Sequence, residues 1–458
     1  MRSRHRYSRL VALLAPLLIA LSPSAEARPE ILSMRERAEV IDGWLEDRVR
    51  TVLPELMRRE GIEMWLLISR EYNEDPVLET FLPARWPSAR RRTILLIYDP
   101  GAPEPLETLA IARYGVGKVF AKAWDKERHG DQWQRLRSLI EARDPKTIGI
   151  NLSDTFALAD GLPYTEHRLL NEALTPKLRA RLVPAEKLAI AWLETRSEPE
   201  MVIYPQIMRI AHEIIAEGLS EAVIQPGVTT THDVAWWYRE RIREWKLRAW
   251  FHPSVSVQRA KAPERDHKSM ISAHHDEDVI RPGDLLHVDF GISYLRLHTD
   301  TQQHAYVLKR GETEVPPDLR RAFAEGNRLQ DILTGHFVSG RTGNEILAAA
   351  LTQARKEGLR PTIYTHPIGY HGHAAGPTIG LWDQQGGVPG AGDYPLYPNT
   401  AYSIELNAEV DVPSWGKTVR IQLEEDAFFD GKTTTYIDGR QREIFAIPRQ
   451  GTKEGRGK

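Results

Sequence analysis

The chain contains no cysteine, which excludes thiol catalysis, thiolate metal ligands and any disulfide. At 458 residues it can bury ample apolar surface without covalent staples. Long apolar runs are scarce as well. Beyond residue 21 none approaches the roughly 20 residues that span a bilayer, so no stable membrane insertion is expected. An excess of one charge is also missing. Lys and Arg total 61 against 63 Asp and Glu, a formal net charge of −2, which offers no electrostatic grip on nucleic acid. The composition that remains, with 12 Trp and 30 Pro, is that of an ordered globular chain long enough for two domains.

The one conspicuous apolar run, Leu10 to Leu21, is interrupted only by Pro16. It follows Arg2, Arg4, Arg6 and Arg9 and precedes the small-x-small triplet Ala25-Glu26-Ala27. Residues 1–27 therefore read as a cleaved secretory signal peptide. Losing its four Arg and one Glu takes the net charge from −2 to −5. The expected mature protein starts near Arg28 and is periplasmic or secreted. At the other end, the polar and basic stretch 449–458 reads as a disordered tail.

Between these ends the pattern changes once. Residues 28–190 alternate helical and strand signals. "RAEVIDGWLEDRVRTVLPELMRREG" has helical spacing and closes on Gly61, and "DQWQRLRSLIEARD" supplies another helix before Pro145. "MWLLIS", "RTILLIYD" and "TIGIN" read as buried strands, so this part is an α/β domain. "EYNEDP" (71–76) reads as a structural loop. A boundary falls within 183–200. The second domain, 191–448, opens with a long amphipathic helix whose Ile203, Ile207, Ile210, Ile214 and Ile215 recur at the helical period. Gly227 turns the chain into a helix carrying Trp236, Trp237 and Trp245, an aromatic stripe expected to pack in the core. After "RPGD" (281–284) the chain becomes strand-rich.

The chemistry-bearing residues lie in that strand-rich part. In "LLHVDFG", Leu286, Val288 and Phe290 alternate with His287 and Asp289, which places the last two on one strand face. Asp300 follows eleven residues later, as expected if a hairpin returns the chain to the same cavity. In "IQLEEDAFF", Gln422, Glu424 and Asp426 share a face and Glu425 takes the other, which favours Glu424 as the inward carboxylate. Glu405 sits between apolar Ile404 and Leu406, and His366 lies in "THPIGYHGH". A lone acid in any of these strings would be a solvated surface group. Five donors in strand-like segments suit a metal pair, whose two dications about 3.5–4 Å apart need several carboxylates to offset their repulsion.

This ordered set, with Gly291 two residues after Asp289 and His373 seven after His366, resembles the motif set of the M24 metallopeptidases, the group of methionine aminopeptidases, aminopeptidase P, prolidases and creatinase. The resemblance covers roughly residues 190–448, and the first domain resembles the creatinase/prolidase N-terminal type. It implies an α+β pita-bread catalytic domain holding two divalent metal ions, Mn first, with Zn, Co or Fe as alternatives. Asp289 would chelate one ion, Asp300 and Glu424 would bridge, and His366 and Glu405 would complete the second site. Glu405 would also shuttle a proton, and His373 would hydrogen-bond the developing oxyanion. An upstream catalytic histidine is implied as well; His274 is the choice, with His267 and His275 nearby. Departures from the family pattern are Glu405-Leu-Asn-Ala in place of Glu-Pro-Gly, Asp300-Thr-Gln-Gln in place of a Thr-Arg continuation, and Thr362 where Xaa-Pro enzymes tend to have histidine.

The implied activity is that of a metallo-aminopeptidase or dipeptidase of Xaa-Pro type, acting on a peptide or dipeptide through a metal-bridged hydroxide. The rival readings are creatinase-like or lyase chemistry on a small non-peptide substrate, and a catalytically inactive binding module. Retention of all five donors disfavours the last. A homodimer is the oligomer that the resemblance makes available.

Overall fold

Pro54 decides the first feature of the fold. The continuous helix expected up to Gly61 is two helices, Met34–Thr51 and Leu53–Glu60, joined at Val52. A proline lacks the N–H of the helical ladder and clashes with the carbonyl four residues back, so a new helix starts with Pro54 in its first turn. Gly61 ends the second helix with φ of 68°, the left-handed cap expected of it.

The computed structural model describes residues 30–262 and 278–449, and the chain from Leu32 onward forms one compact unit. Its N-terminal α/β domain is built on a six-stranded mixed sheet. In spatial order the strands are Ala121–Lys122, Glu107–Ile111, Arg92–Tyr98, Met64–Arg70, Ile148–Ile150 and Leu182–Pro184. Met64–Arg70 runs antiparallel to Arg92–Tyr98 and parallel to Ile148–Ile150. The near-continuous apolar runs are explained by cover on both faces. Trp65, Leu67, Leu95 and Ile97 join one core with Leu53, Met57 and residues 188–193. Met64, Leu66, Ile68, Ile94 and Leu96 join another with Trp133, Leu136, Ile140 and Leu170. The acidic loop 71–76 is structural: buried Asp75 caps the helix Pro76–Phe81, accepting from the N–H groups of Val77 (2.7 Å) and Leu78 (3.2 Å).

The helix Glu186–Glu194, almost wholly buried, leads into the C-terminal domain. There two αβ layers face each other. In the first, the helices Glu198–Gly218 and Thr231–Glu244 accompany a sheet ordered Phe445–Ile447, Thr301–Val307, Leu285–Phe290, Ser254–Gln258. In the second, Pro317–Gly335 and Gly343–Lys356 accompany two sheets. One is ordered Pro361–Ile363, Leu406–Val412, Lys417–Leu423, the other His366–Pro367, Thr400–Ser403, Asp426–Phe429, Thr434–Tyr436. Among the links between the layers is a β-bridge in which the Gln302 N–H donates to the Glu424 carbonyl at 3.0 Å.

The tryptophan stripe is a correction to the sequence reading. On Thr231–Glu244 the core positions are Val234, Ala235, Tyr238 and Ile242. Trp236 is 50% exposed, and the Arg241 guanidinium lies 5.7 and 5.8 Å from the rings of half-buried Trp237 and Trp245. The helix turns its aliphatic face to the sheet and uses the indoles as an outer cover. Arg449, placed by sequence in the tail, is held: its N–H donates to Glu221 and its guanidinium to the Ala216 carbonyl. Residues 450–458 and 1–27 lie outside the described residues. Among the described residues no helix is long and apolar enough to cross a membrane.

Candidate metal centre

Asp289 ends the inward face of Leu285–Phe290, whose Leu286, Val288 and Phe290 are fully buried. Gly291 follows because a Cβ there would collide with the Trp250 indole, Phe251 and the Thr299 carbonyl. The chain then makes the expected hairpin, Ile292–Tyr294 against Leu297–His298, through a two-residue turn at Leu295 and Arg296 with φ of 54° and 67°. It re-enters the sheet at Thr301, where Gln302 stands opposite Asp289. Asp300, 4% exposed, is thereby brought beside Asp289.

The other donors come from the second layer. His366 opens a short edge strand paired with Thr400–Ser403. Its Nδ1 lies 3.0 Å from the Pro367 carbonyl, so the proton belongs on Nδ1 and Nε2 is left as the donor atom facing the site. Glu405 lies between the strands Thr400–Ser403 and Leu406–Val412, its carbonyl accepting from Tyr364 N–H and the Thr365 hydroxyl. Glu424 sits between Lys417–Leu423 and Asp426–Phe429.

These five side chains converge. Asp289, Asp300 and Glu424 form one set of donor atoms within 4.8 Å of one another, and His366, Glu405 and Glu424 form a second, so Glu424 is common to both. His366 Nε2 lies 3.5 Å from Glu424 Oε1, 3.7 Å from Asp300 Oδ2 and 4.0 Å from Glu405 Oε2. Those gaps are too long for hydrogen bonds and close to the ~3.4 Å between two donors each about 2.1 Å from one tetrahedral ion. Asp289 Oδ1, Asp300 Oδ1 and His366 Nε2 are buried with no hydrogen-bond partner.

The electrostatics point the same way. Burial, then the neighbouring Glu424, push the Asp289 and Glu405 carboxyls well above the usual range. Burial, then Glu424, Asp289 and Glu405, do the same to Asp300. Packed acids of this kind must either hold protons or be compensated by cations. An oxygen-rich set with one histidine fits Mn, Co, Fe or Zn. The residues present therefore fit a pair of divalent ions.

Several participants escaped the sequence reading. Gln302, 3% exposed, donates from Nε2 to Glu405 Oε1 (2.6 Å) and Glu424 Oε2 (2.8 Å), while its Oε1 lies 2.8 Å from His287 Nε2. The signal was available, since position 302 shares a strand face with Asp300. Ser403 donates to Glu424 Oε1 at 2.7 Å. Asp426 accepts the Asp300 N–H at 3.3 Å, and burial followed by Glu424 raises its pKa strongly. Glu425 faces away from the centre, toward His212 at 2.7 Å and Gln303 at 3.0 Å. His373 is exposed beside the donors, its ring 4.8 Å from that of His366 and edge-on to Trp250 at 5.2 Å. His274, like His267 and His275, lies outside the described residues.

Two αβ layers enclosing a carboxylate-rich cradle define a pita-bread fold of the hydrolase type. Residues 206–426, within the C-terminal domain, match the model of Metallopeptidase family M24. No curated protein matches the sequence. Solved structures do match the fold. X-Pro aminopeptidase from Thermotoga maritima MSB8 aligns over 86% of this chain and 100% of its own, with 17% identity and a TM-score of 0.59. Xaa-Pro dipeptidase from Bacillus anthracis covers 90% and 100%, with 17% identity and a TM-score of 0.55. Aminopeptidase P from E. coli covers 90% and 97%, with 12% identity and a TM-score of 0.55.

Proposed function

We propose that this chain is an exported metallopeptidase that hydrolyses the N-terminal peptide bond of its substrate, with Xaa-Pro peptides preferred. The observation that carries the reading is the pair of donor sets sharing Glu424. Similarity of fold to an X-Pro aminopeptidase and an Xaa-Pro dipeptidase supports the substrate class. Asp289, Asp300, His366, Glu405 and Glu424 would hold the two ions, with Mn²⁺ as the native metal. A bound pair supplies Lewis acidity, lowering the pKa of a water and polarising the scissile carbonyl.

The protein's own groups do the rest. Gln302 fixes Glu405 through Oε1, leaving Oε2 on the His366 side to accept a proton and return it to the departing amine. Burial, and then the neighbouring His366, lower the His373 pKa, which favours its neutral imidazole. Its N–H donates to the carbonyl oxygen as negative charge develops, a contribution of about 2.7–4 kcal/mol for such donors. Trp250 keeps that ring in place and is itself fixed by an indole N–H to the Thr299 carbonyl at 2.9 Å. Residues 1–27 would serve as the export signal and be removed, leaving a periplasmic or secreted protein.

Incubation of the Mn²⁺-loaded protein with the tripeptides Ala-Pro-Ala and Ala-Ala-Ala, read by mass spectrometry, tests the proposal. Release of free alanine, at least tenfold faster from Ala-Pro-Ala, is expected. Equal rates would remove the proline preference, and intact peptides in both samples would remove the peptidase reading.

A further inference from the structure

An open cavity of about 710 Å³ lies on the N-terminal domain, where the strands Met64–Arg70 and Arg92–Tyr98 meet the start of the helix Gln132–Arg143. It shares no residue with the carboxylate centre. Six cations line it: Arg70, Arg90, Arg91, Arg92, Arg113 and Lys126. Arg70 and Arg92 are directly opposite in the strand register, an arrangement of like charges that a sheet normally avoids. Both lean on one buried acid, Glu166, at 3.2 and 2.6 Å.

The lining contributes two acids, and both are already engaged. The Asp131 carboxylate caps the helix, accepting from the N–H groups of Trp133 (2.9 Å) and Gln134 (3.1 Å). Glu71 accepts the Arg91 N–H at 3.2 Å and lies 3.8 Å from its guanidinium. Among the described residues Arg90, Arg113 and Lys126 have no carboxylate partner; Arg90 instead lies 5.4 Å over the Trp86 ring. The rim is also held in unusual backbone. Tyr72 and Arg91 have φ of 70° and 55°, left-handed values that side chains rarely adopt, and such residues cluster at ligand clamps. Tyr72, 85% exposed, offers a free aromatic face at the mouth.

We propose that this cavity binds a multiply charged, phosphate-bearing anion. Guanidinium groups are permanently charged and present paired N–H donors that match phosphate oxygens, so five arginines and a lysine select such a group over a single carboxylate. The volume is that of a small-molecule site, in the range of roughly 300–1,000 Å³. A free phosphorylated small molecule and a phospholipid headgroup share this chemistry. The uncompensated side chains provide the charge, and Tyr72 packs on the uncharged part of the ligand.

Titration calorimetry with sodium tripolyphosphate tests the site on the full-length protein, beside Arg90→Gln/Arg113→Gln/Lys126→Gln and Glu424→Ala variants. The three substituted side chains are exposed, and unchanged melting temperatures will verify that the triple variant folds. Binding that weakens at least tenfold in the triple variant, persists in Glu424→Ala and falls steeply with salt is the expected result. Sedimentation with phosphatidylglycerol vesicles, against phosphatidylcholine alone, assigns the source: binding lost in the triple variant identifies a headgroup, and its absence beside tripolyphosphate binding identifies a free ligand. No binding to either probe, or binding that the triple variant retains in full, overturns the proposal.

Discussion

Gln302 links carboxylates from the two halves of the candidate metal centre. One amide nitrogen reaches both Glu405 and Glu424, and its oxygen lies against His287. Partners of this kind orient ligands and typically affect metal affinity or activity about 10- to 100-fold. Gln302→Leu, similar in size but unable to donate, is expected to weaken Mn²⁺ binding within that range while the fold persists. Calorimetric titration of the variant measures it, and wild-type affinity would show that the amide does not position the carboxylates. A second buried acid governs stability. Glu194 is 1% exposed, with one oxygen lacking a hydrogen bond, and burial pushes its pKa up to about 8 despite Arg59 and the Tyr394 hydroxyl. Between its ordinary 4.5 and about 8 the folded chain holds a proton that the unfolded chain has released. Its contribution to stability is therefore full below 4.5 and is lost as pH rises through about 8, at up to about 1.4 kcal/mol per pH unit. Glu194→Gln is expected to match the wild type in melting temperature at pH 5 and to exceed it at pH 8.5. A variant less stable at both values would contradict this.

At the scale of elements, the hairpin between Asp289 and Asp300 matters most. Its turn residue Arg296 reaches into the N-terminal domain, donating to the carbonyls of Thr80 (3.3 Å) and Leu82 (2.9 Å) at the end of the helix Pro76–Phe81. A cation at a helix C-terminus complements its dipole, and here it anchors the hairpin between the candidate donors Asp289 and Asp300. Arg296→Ala is expected to lower Mn²⁺ affinity about tenfold, with partial recovery in Arg296→Lys. Equal affinities in all three proteins would make the anchor irrelevant to the centre. Gly291→Ala is expected to cost about 2–3 kcal/mol, because the new methyl meets both backbone and indole. Of the five converging donors, strand alternation singled out Asp289 and Glu424 in the sequence; His366, the complete set and the two αβ layers rested on the resemblance to the M24 motif set. Which face of a helix turns inward was not legible for Thr231–Glu244. Trp236, Trp237 and Trp245 and the face of Val234, Tyr238 and Ile242 are both apolar, and the sheet beneath selects the aliphatic one. Arg296 was hidden for another reason: its partners are backbone carbonyls more than 200 positions away.

Across the whole molecule, the two domains share structure that a boundary near residue 190 does not suggest. Arg48, on the first helix, is fully buried; its guanidinium meets equally buried Glu200 at 3.0 Å and the carbonyls of Trp192 and Thr195. Tyr370 donates to the other Glu200 oxygen at 2.7 Å, and Arg196 lies 3.6 Å away. Removing Arg48 takes the nearest cation from buried Glu200, leaves the Trp192 and Thr195 carbonyls without their donor and opens a cavity, so Arg48→Ala is expected to destabilise the protein by about 3–5 kcal/mol. Scanning calorimetry is expected to show one cooperative transition in the wild type, shifted downward in the variant. Two resolved transitions in the wild type would mean that the domains unfold independently.

The most direct test of the account is the number of metal ions bound per chain. Glu424 belongs to two of the three candidate donor sets, so on the proposed assignment its loss would remove a ligand from each ion at once. Wild-type protein dialysed against Mn²⁺ and analysed by inductively coupled plasma mass spectrometry should retain two equivalents, and Glu424→Ala should retain fewer than one. A wild-type chain that retains none, or a Glu424→Ala chain that keeps both, would contradict the assignment of these five residues to a dinuclear centre.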